Sequence, residues 1–373
     1  MARVLILTAS YGSGHNEAAR ALAIALAAQG AEPIVVDHFR ACAPAVFDRL
    51  SRAAYLALLR HAPALWGLAY ELGDRLASDS WLTFGASHVG GSALAALLDR
   101  LAPDAVLTVH ATPAVIMAEL AASGRRLPPH VTVVTDFVAH SQWMAAAGID
   151  RYCVAADEVG REFVARGIPR ERIDVTGVPV RPEFGIAVDG TGARQALGLD
   201  DRAPVVLAMS GSWGSLGRLP QVARVLLATE RPVQGLLVAG HDARLEATLA
   251  AQTAGSRLRT VGFVPDVRRL MAAADLLITK AGGMTLAEAL AAETPLLLYG
   301  SLPGQERRNE RFASRAGIAL VARDRRHLAA LVDRALGDRG LLETLRERMR
   351  AHRRPDAAHV IADLTLRQVM RHR

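Results

Sequence analysis

The sequence predicts an α/β protein built from two doubly wound, Rossmann-like domains. Apolar runs of four to six residues alternate with helical patterns, which is typical of parallel sheets covered by helices on both faces. This alternation occurs twice, once in each half of the chain. The chain has 373 residues, of which 51% are apolar, and such a length favours more than one domain.

Eleven apolar runs are the candidate strands, and the first is followed by a helical pattern at 15–28. In the first half the runs lie at 3–9, 33–37, 104–110, 131–136, 151–156 and 173–177. In the second half they lie at 204–211, 233–240, 259–264, 275–283 and 294–300. Between the second and third strands, residues 40–100 form a long helical insertion that carries six aromatic residues.

The segment 177–192 contains several prolines and glycines and little periodicity, so it predicts the join between the domains. We therefore expect an N-terminal domain at 1–182 and a C-terminal domain at 193–354. The arginine-rich end of the chain predicts a helix, a break at Pro355 and a final helix within 355–373.

The composition narrows the functional classes. The formal net charge is +7, which favours anionic partners such as a phosphorylated ligand, an acidic lipid surface or nucleic acid. Two cysteines, Cys42 and Cys153, provide neither metal-ligand spacing nor a disulfide framework, and they fit a reducing cytoplasm. No secretory signal pattern and no run of 18 apolar residues occurs, so we expect no membrane-spanning helix.

The loop after the first strand, "ASYGSGHNEAARA" at 9–21, has the glycine spacing of a nucleotide-binding turn. Gly12 and Gly14 suggest a dinucleotide fingerprint, but Glu17 stands where its third glycine belongs, so NAD binding is not indicated. The glycines still allow backbone N–H groups to approach a ligand. His15 begins the helix, where the helix dipole favours the neutral ring that can accept a proton. A histidine that only caps or packs is the alternative.

Glycine-rich turns also follow strands of the second half. Gly211 lies in "MSGSWGSLGRLP" at 209–220, and "TKAGGMTLAEALA" at 279–291 opens a helix. The second stretch supplies candidate phosphate ligands at Lys280, the only lysine of the chain, Gly282, Gly283 and Thr285. Glu288 is placed one turn later to accept hydrogen bonds from a ribose diol. A glycine-lined structural turn with a solvated glutamate is the alternative.

A polar stretch, "YGSLPGQERRNE" at 299–310, follows the next strand. Its Gln305, Glu306 and Asn309 suit the hydroxyl groups of a sugar, or they belong to an ordinary surface loop. The chain contains no D-x-D sequence, the carboxylate pair that would indicate a metal-bound nucleotide-sugar. We therefore expect the diphosphate to be stabilised by backbone N–H groups, a helix dipole and Lys280.

Together these motifs resemble a known family. The chain is similar to the bacterial processive diacylglycerol glycosyltransferases and the plant-type monogalactosyldiacylglycerol synthases, and more distantly to the transferase that adds N-acetylglucosamine to the peptidoglycan lipid precursor. The likeness rests on the order of "SYGSGHNEAA", "VHATPA", "VTDFVAHSQWM", "TKAGGMTLAEAL" and "PGQERRNE". Ala111 and Ala281 stand where the family often has proline, and "SGSWG" replaces a loop richer in glycine and glutamate.

The resemblance implies a GT-B fold, in which two Rossmann-like domains face a cleft and the last helix commonly returns to the first domain. It implies an inverting, metal-independent transfer without a cofactor, from a UDP-sugar bound by the C-terminal domain. His15 is the expected catalytic base, with Asp136 as the second choice. The backbone at Phe263 and Val264 is expected to bind the uracil. Gly12, Gly14, His110 and His140 are expected on the acceptor side, together with Asp136.

The implied acceptor, diacylglycerol or a glycosyl-diacylglycerol, lies at a membrane surface. We therefore expect a cytoplasmic protein that docks peripherally on the anionic inner face of the cell membrane and does not bind nucleic acid. Trp66 and Trp81 of the insertion are the predicted membrane contacts, and a role in filling the core is the alternative.

The sequence leaves the transferred hexose open between glucose and galactose. Three other functions also stay open: transfer to a different lipid-linked or small-molecule acceptor, UDP-sugar epimerisation on the same fold, and simple binding of anionic lipid or nucleic acid.

Overall fold

The structure is a computed structural model that describes residues 1–75, 89–144, 148–211 and 218–372. The chain divides into two compact units. Unit 1 comprises Met1–Glu183, Pro303–Gln305 and Arg354–Arg373, and unit 2 comprises Phe184–Leu302 and Glu306–Arg353.

Unit 1 contains a six-stranded sheet of parallel strands in the order β2-β1-β3-β4-β5-β6. The strands are β1 (Arg3–Thr8), β2 (Glu32–Asp37), β3 (Ala105–Thr108), β4 (His130–Val133), β5 (Arg151–Val154) and β6 (Ile173–Val175). All six coincide with predicted apolar runs. The reversal of strand order beside β1 places the β1 and β3 loops next to each other at the carboxyl edge of the sheet.

The helices of unit 1 begin with α1, whose buried residues Ala18, Ala21, Leu22 and Ala25 recur at helical spacing. The helices before the linker are α1 (Ser13–Ala28), α2 (His38–Cys42), α3 (Ala45–His61), α4 (Pro63–Arg75), α5 (Gly91–Leu101), α6 (Ala111–Ala122) and α7 (Asp157–Ala165). Four of them, α2 to α5, belong to the predicted helical insertion.

Unit 2 also contains six parallel strands, in the order β12-β11-β10-β7-β8-β9, so the prediction of two doubly wound halves is confirmed. The strands are β7 (Val205–Met209), β8 (Gln234–Val238), β9 (Leu258–Val261), β10 (Leu276–Thr279), β11 (Leu296–Tyr299) and β12 (Ala319–Ala322). The helices are α8 (Gly190–Ala196), α9 (Leu219–Ala228), α10 (Ala243–Thr253), α11 (Val267–Ala273), α12 (Gly283–Ala292), α13 (Gln305–Arg315), α14 (Arg325–Gly337) and α15 (Arg339–His352).

Two details of this sheet differ from the prediction. The strand β12, at the edge of the sheet, was not predicted, although residues 318–322 form an apolar run. The run at 259–264 was predicted as one strand, but β9 ends at Val261 and Gly262 to Val264 lie beyond it. The apolar residues after Val261 therefore belong to a loop at the carboxyl edge of the sheet.

The end of the chain forms the predicted helix pair. The helix α15 ends at His352, and α16 (Ala357–His372) begins just after Pro355. Within unit 1, α16 packs against α1, and Gln29 Nε2 donates a hydrogen bond to the His359 carbonyl at 3.0 Å.

The core of unit 1 contains a buried polar group between β3 and β4. His130 is fully buried, and its Nε2 lies 3.0 Å from Thr108 Oγ1 and 3.3 Å from Thr132 Oγ1. Burial disfavours the charged ring and lowers the pKa of His130 to about 4.

We expect His130 to make unit 1 sensitive to acid. The unfolded chain binds a proton near the ordinary histidine pKa, whereas the folded chain binds it only near 4. Stability is therefore complete above about pH 6.5 and is lost as the pH falls towards 4, by up to about 3 kcal/mol. Urea denaturation between pH 7.5 and 4.5 measures this loss, and His130→Gln should reduce it.

The matched control is His61→Gln, at the exposed end of α3. This variant should lose as much free energy of unfolding between pH 7.5 and 4.5 as the parent protein does. If the parent and His130→Gln lost the same free energy of unfolding over this pH range, other groups would be the cause of the acid sensitivity.

Candidate active site

Three loops of unit 1 meet at the carboxyl edge of its sheet. They follow β1, β3 and β4, which are neighbours in the sheet. The β1 loop leads to His15 in the first turn of α1, the β3 loop leads to His110 just before α6, and the β4 loop carries Thr135 and Asp136. The sheet therefore brings together residues that are more than ninety positions apart in the sequence.

The hydrogen bonds of His15 determine which of its ring nitrogens can act as a base. Nδ1 lies 2.7 Å from the Val109 carbonyl oxygen and 3.2 Å from Thr135 Oγ1. A carbonyl can only accept, so Nδ1 carries the proton and donates it to Val109. In the neutral ring, Nε2 then has the lone pair and is the proton acceptor.

The surroundings of His15 favour this neutral ring. Burial lowers its pKa, and the negative charge of Asp136 and the hydrogen bond to Val109 oppose this effect without cancelling it. His110 lies against His15 with ring centroids 4.8 Å apart. Burial, reinforced by the nearby His15 and His38, holds the pKa of His110 well below its usual value. Two uncharged imidazoles therefore lie side by side at physiological pH.

The predicted glycines lie at the open start of α1. Gly12 is the N-cap residue and has no side chain to bond the N–H groups of the first turn. A Cβ atom at Gly12 would have no heavy atom within 4 Å, and Gly14 follows in the first turn of the helix. The helix start is thus accessible and carries the partial positive charge of the dipole beside His15.

Tyr11 is a residue of this site that the sequence analysis missed. Its hydroxyl donates a hydrogen bond to Ser51 Oγ on α3 at 2.5 Å. Its ring contacts Phe39 and Tyr55 edge-on, with centroids 4.8 and 5.6 Å away, and stacks on His110 at 6.3 Å. Tyr11 therefore connects the loop that leads to His15 with the helical insertion. Its position directly before Gly12 was the available signal.

Two other predicted residues occupy supporting positions. His140 is buried; its Nδ1 accepts a hydrogen bond from the Gln142 N–H at 3.2 Å, so its Nε2 donates to the Tyr70 carbonyl, also at 3.2 Å. His140 thus fixes the end of α4. Trp66 is half-buried against Tyr55, with ring centroids 5.1 Å apart. The predicted contact Trp81 lies outside the described residues.

In unit 2 the predicted donor residues also meet at the carboxyl edge of the sheet. Gly211, Lys280 and Ser301 follow β7, β10 and β11, which are neighbours. Gly211 has φ = +77°, and a Cβ atom there would lie 3.7 Å from Lys280 Cε. Lys280 forms a short ion pair with Glu306, whose second oxygen accepts a hydrogen bond from the Leu302 N–H at 2.9 Å.

The turn before α12 is held by side chains on both sides. Asn309 is fully buried and donates from Nδ2 to the Ala281 carbonyl at 3.0 Å, while Ser301 Oγ accepts from the Ala281 N–H at 3.2 Å. Gly282 is the N-cap of α12, and no side chain caps the helix. Its first turn contains Gly283 and Thr285, and Glu288 lies on the following turn. The result is a fixed helix N-terminus of the kind that binds phosphate.

The remaining predicted donor residues are Phe263, Val264 and Gln305. The Phe263 ring is 49% exposed and stacks on His241, with centroids 4.1 Å apart and an interplanar angle of 15°. Val264 follows it and is half-buried. Gln305 is the first residue of α13, and its Oε1 is buried with no hydrogen-bond partner among the residues that the structure describes.

Arg218 is a candidate phosphate ligand that the sequence analysis did not single out. Its guanidinium lies 5.5 Å from the centroid of the Tyr299 ring, at the end of β11. A Cβ atom on the next residue, Gly300, would lie 3.1 Å from Arg218 Cγ. The carboxyl edge of this sheet thus carries a second cation besides Lys280. Its place directly after the glycine-rich loop was the signal in the sequence.

The described ranges contain neither a cluster of metal-binding side chains nor a membrane-spanning helix. Among these residues, no group of three or more His, Cys, Asp or Glu side chains could hold a metal ion. No helix in the described part of the chain has both the length and the apolar character needed to cross a membrane.

Comparisons with known proteins agree with this geometry. The monogalactosyldiacylglycerol (MGDG) synthase model matches residues 15–180, and the glycosyl transferases group 1 model matches residues 215–353. The structure of Acinetobacter baumannii MurG superposes with a TM-score of 0.68 at 18% identity, over 98% of this chain and 100% of that one. The chain is therefore a glycosyltransferase of the GT-B fold.

The family follows from two relatives, both called processive diacylglycerol beta-glucosyltransferase. The Bacillus thuringiensis protein is 30% identical over 98% of this chain and 94% of its own length. The Bacillus pumilus protein is 29% identical over 97% of this chain and 94% of its own length. The chain belongs to the family of these processive diacylglycerol glycosyltransferases, which confirms the resemblance noted in the sequence.

We expect the ion pair of Lys280 and Glu306 to stabilise the turn before α12. Their side chains are only 16% and 9% exposed, so removing one partner leaves a poorly solvated charge. Lys280→Met and Glu306→Gln should each lower the free energy of unfolding by about 2 kcal/mol. The double variant should lose clearly less than the sum, as measured by urea denaturation at pH 7.

Glu158→Gln on α7 is the control, because its ion pair with Arg161 is exposed and should contribute less than about 1 kcal/mol. Strictly additive effects of Lys280→Met and Glu306→Gln would contradict a stabilising contact between the two side chains.

Proposed function

We propose that this protein transfers glucose from UDP-glucose to the free hydroxyl group of diacylglycerol, with inversion at the anomeric carbon, and that it accepts its glucolipid product for a further transfer. The names of the two Bacillus relatives support glucose as the sugar and a repeated reaction. The observation that carries the chemistry is the hydrogen bond from His15 Nδ1 to the Val109 carbonyl, which leaves Nε2 as a base.

In the proposed reaction His15 acts as the general base. The acceptor oxygen attacks C1 of the glucose while the bond between C1 and the diphosphate oxygen breaks. The hydroxyl proton passes to His15 Nε2, and UDP leaves from the opposite face of the sugar. Such base catalysis contributes roughly 10²–10⁴ in rate. Burial lowers the pKa of His15, and the negative charge of Asp136, which opposes this effect, stabilises the imidazolium that forms.

Unit 2 is proposed to bind the UDP part of the donor. The uncapped first turn of α12, with Gly282, Gly283 and Thr285, supplies N–H groups for the diphosphate. Lys280 and Arg218 supply positive charge, Glu288 accepts the ribose hydroxyls, and the segment at Phe263 and Val264 receives the uracil. Fixed donors of this kind stabilise the charge on the departing diphosphate, so the proposed displacement uses neither a metal ion nor another cofactor.

The helical insertion is proposed to dock the protein on the cytoplasmic face of the membrane. Exposed apolar residues lie on α4 at Leu65 (57%), Leu68 (66%) and Leu72 (54%), which share one face of the helix, and on α3 at Val46 and Leu50. Exposed apolar helix faces suit the interface of a bilayer, and the net charge of +7 favours an anionic leaflet. Because Trp66 packs against Tyr55, the aliphatic residues are the better candidates for the contact.

The experiment that tests the function incubates the protein with UDP-glucose or UDP-galactose, with and without diacylglycerol vesicles. We expect glucolipid and equimolar UDP only when UDP-glucose and vesicles are both present. His15→Ala should lower turnover at least about a hundredfold while UDP binding, measured by calorimetry, is retained. His327→Ala in unit 2, outside both sets of candidate residues, should change neither quantity.

The other functions give different results in the same tubes. Conversion of the UDP-sugar without vesicles would indicate an epimerase, and vesicle binding without UDP release would indicate a lipid-binding protein. UDP release that requires an added alcohol other than diacylglycerol would indicate a different acceptor. Nearly normal turnover of His15→Ala would move the base elsewhere, with Asp136 the next candidate.

We expect Leu65→Ser with Leu68→Ser to weaken binding to vesicles that contain anionic lipid. Each leucine already buries part of its surface, so each should contribute about 1 kcal/mol to binding. The double variant should therefore bind roughly 30-fold more weakly in a co-sedimentation assay. Its turnover of a soluble, short-chain diacylglycerol should remain close to that of the parent.

Leu227→Ser on α9 of unit 2, which changes an apolar side chain that is 41% exposed, is the matched control and should leave vesicle binding unchanged. An equal loss in this control, or no loss in the double variant, would place the membrane contact outside α4.

A further inference from the structure

Unit 2 contains a cavity that lies at the opposite edge of its sheet from the candidate donor site. The cavity has a volume of about 280 Å³. It is lined by Ala274 and Thr294, which lie just before β10 and β11, whereas Lys280 and Ser301 follow the carboxyl ends of the same two strands. The lining residues therefore include none of the residues assigned to the donor or to the base.

The shape of the cavity results from small side chains. The end of α11 contributes Met271 and Ala272, and the end of α12 contributes Ala291 and Ala292. The connecting segment at 184–188 also lines the cavity, and its Ile186 is 65% exposed. The alanines at these two helix ends leave space that larger side chains would fill. Because alanine is also apolar, this part of the cavity lining is apolar.

The charge of the cavity is positive. Arg268, Arg346 and Arg353 line it together with one carboxylate, Glu293. That carboxylate pairs with Arg350, which lies outside the lining, at 2.7 Å and with Arg353 at 3.6 Å, and Arg346 pairs with Glu343 at 3.4 Å. The lining thus keeps an excess of positive charge. Three guanidinium groups beside an apolar lining favour an anionic ligand with an apolar body.

The backbone at Glu293 supports this assignment. Glu293 has φ = +54°, a conformation that glycine adopts at much lower cost, and it ends α12. Its side chain lies 3.6 Å from Arg353 Nε, and the same nitrogen donates to the Ala291 carbonyl at 2.9 Å. A glycine would form this turn with less strain but would leave Arg353 without its carboxylate partner. The glutamate is therefore suited to orienting an arginine at the cavity wall.

We infer that this cavity binds a small phosphate monoester that carries a short apolar group. Phosphate oxygens match the fork of donors that arginine presents. The volume lies just below the range of about 300–1,000 Å³ typical of sites for drug-sized ligands, so the cavity favours a compact ligand over an intact nucleotide-sugar. The assignment does not depend on the proposed glucosyl transfer.

The test is isothermal titration of the full-length protein with n-hexyl phosphate, inorganic phosphate and hexanol. We expect hexyl phosphate to bind at least tenfold more tightly than either of the others, and a saturating concentration of UDP should leave its affinity unchanged. Arg346→Gln should weaken binding about tenfold, and Ala272→Leu, which fills the cavity without changing its charge, should abolish it.

Arg339→Gln, on the same helix as Arg346 but outside the cavity, is the matched control and should bind as the parent does. Equal affinities of Arg346→Gln and Arg339→Gln, displacement by UDP, or no binding at all would overturn the assignment. Vesicles of phosphatidylcholine that carry a phosphomonoester lipid distinguish the sources of the ligand. If they displace hexyl phosphate, the source is a lipid head group, and if they do not, it is a free metabolite.

Discussion

The hydrogen bond from His15 Nδ1 to the Val109 carbonyl is the constraint on which the chemistry of unit 1 depends. A carbonyl oxygen offers no proton, so the bond selects the tautomer in which Nε2 has the lone pair. The bond exists only because β1 and β3 are neighbours, since their loops supply the ring and the carbonyl. The order of strands in the sheet thus determines the tautomer of His15.

Unit 2 uses polar side chains to fix backbone donors. Asn309 and Ser301 hold the carbonyl and the N–H of Ala281, and Glu306 holds Lys280 and the Leu302 N–H. Together these contacts fix the turn before α12. The N–H groups of that helix can therefore meet a diphosphate without first reorganising, which is the condition under which fixed dipoles stabilise developing charge most effectively.

Most of the fold could be predicted from the sequence, because buried parallel strands form continuous apolar runs and glycine-rich turns mark their carboxyl ends. The edge strand β12 was missed, although residues 318–322 form an apolar run. The site was less predictable. Asn309 has the chemistry of a sugar ligand, but its hydrogen bond to Ala281 spans 28 positions of the chain. No local pattern shows such a contact, and none shows the approach of Arg218 to Tyr299.

In the helical insertion, Trp66 packs against Tyr55, and its contact with the membrane stays a prediction. Aromatic rings are large and rigid, and here they connect α3 and α4 to the loop that leads to His15 through Tyr55 and Tyr11. The Tyr11 hydroxyl adds a hydrogen bond to Ser51 on α3. These rings are half-buried, whereas Leu65, Leu68 and Leu72 of α4 are exposed. In the proposed docking, aliphatic area therefore supplies the affinity for the bilayer, and the aromatic contacts hold the loop that carries the base in a fixed position relative to the docked helices.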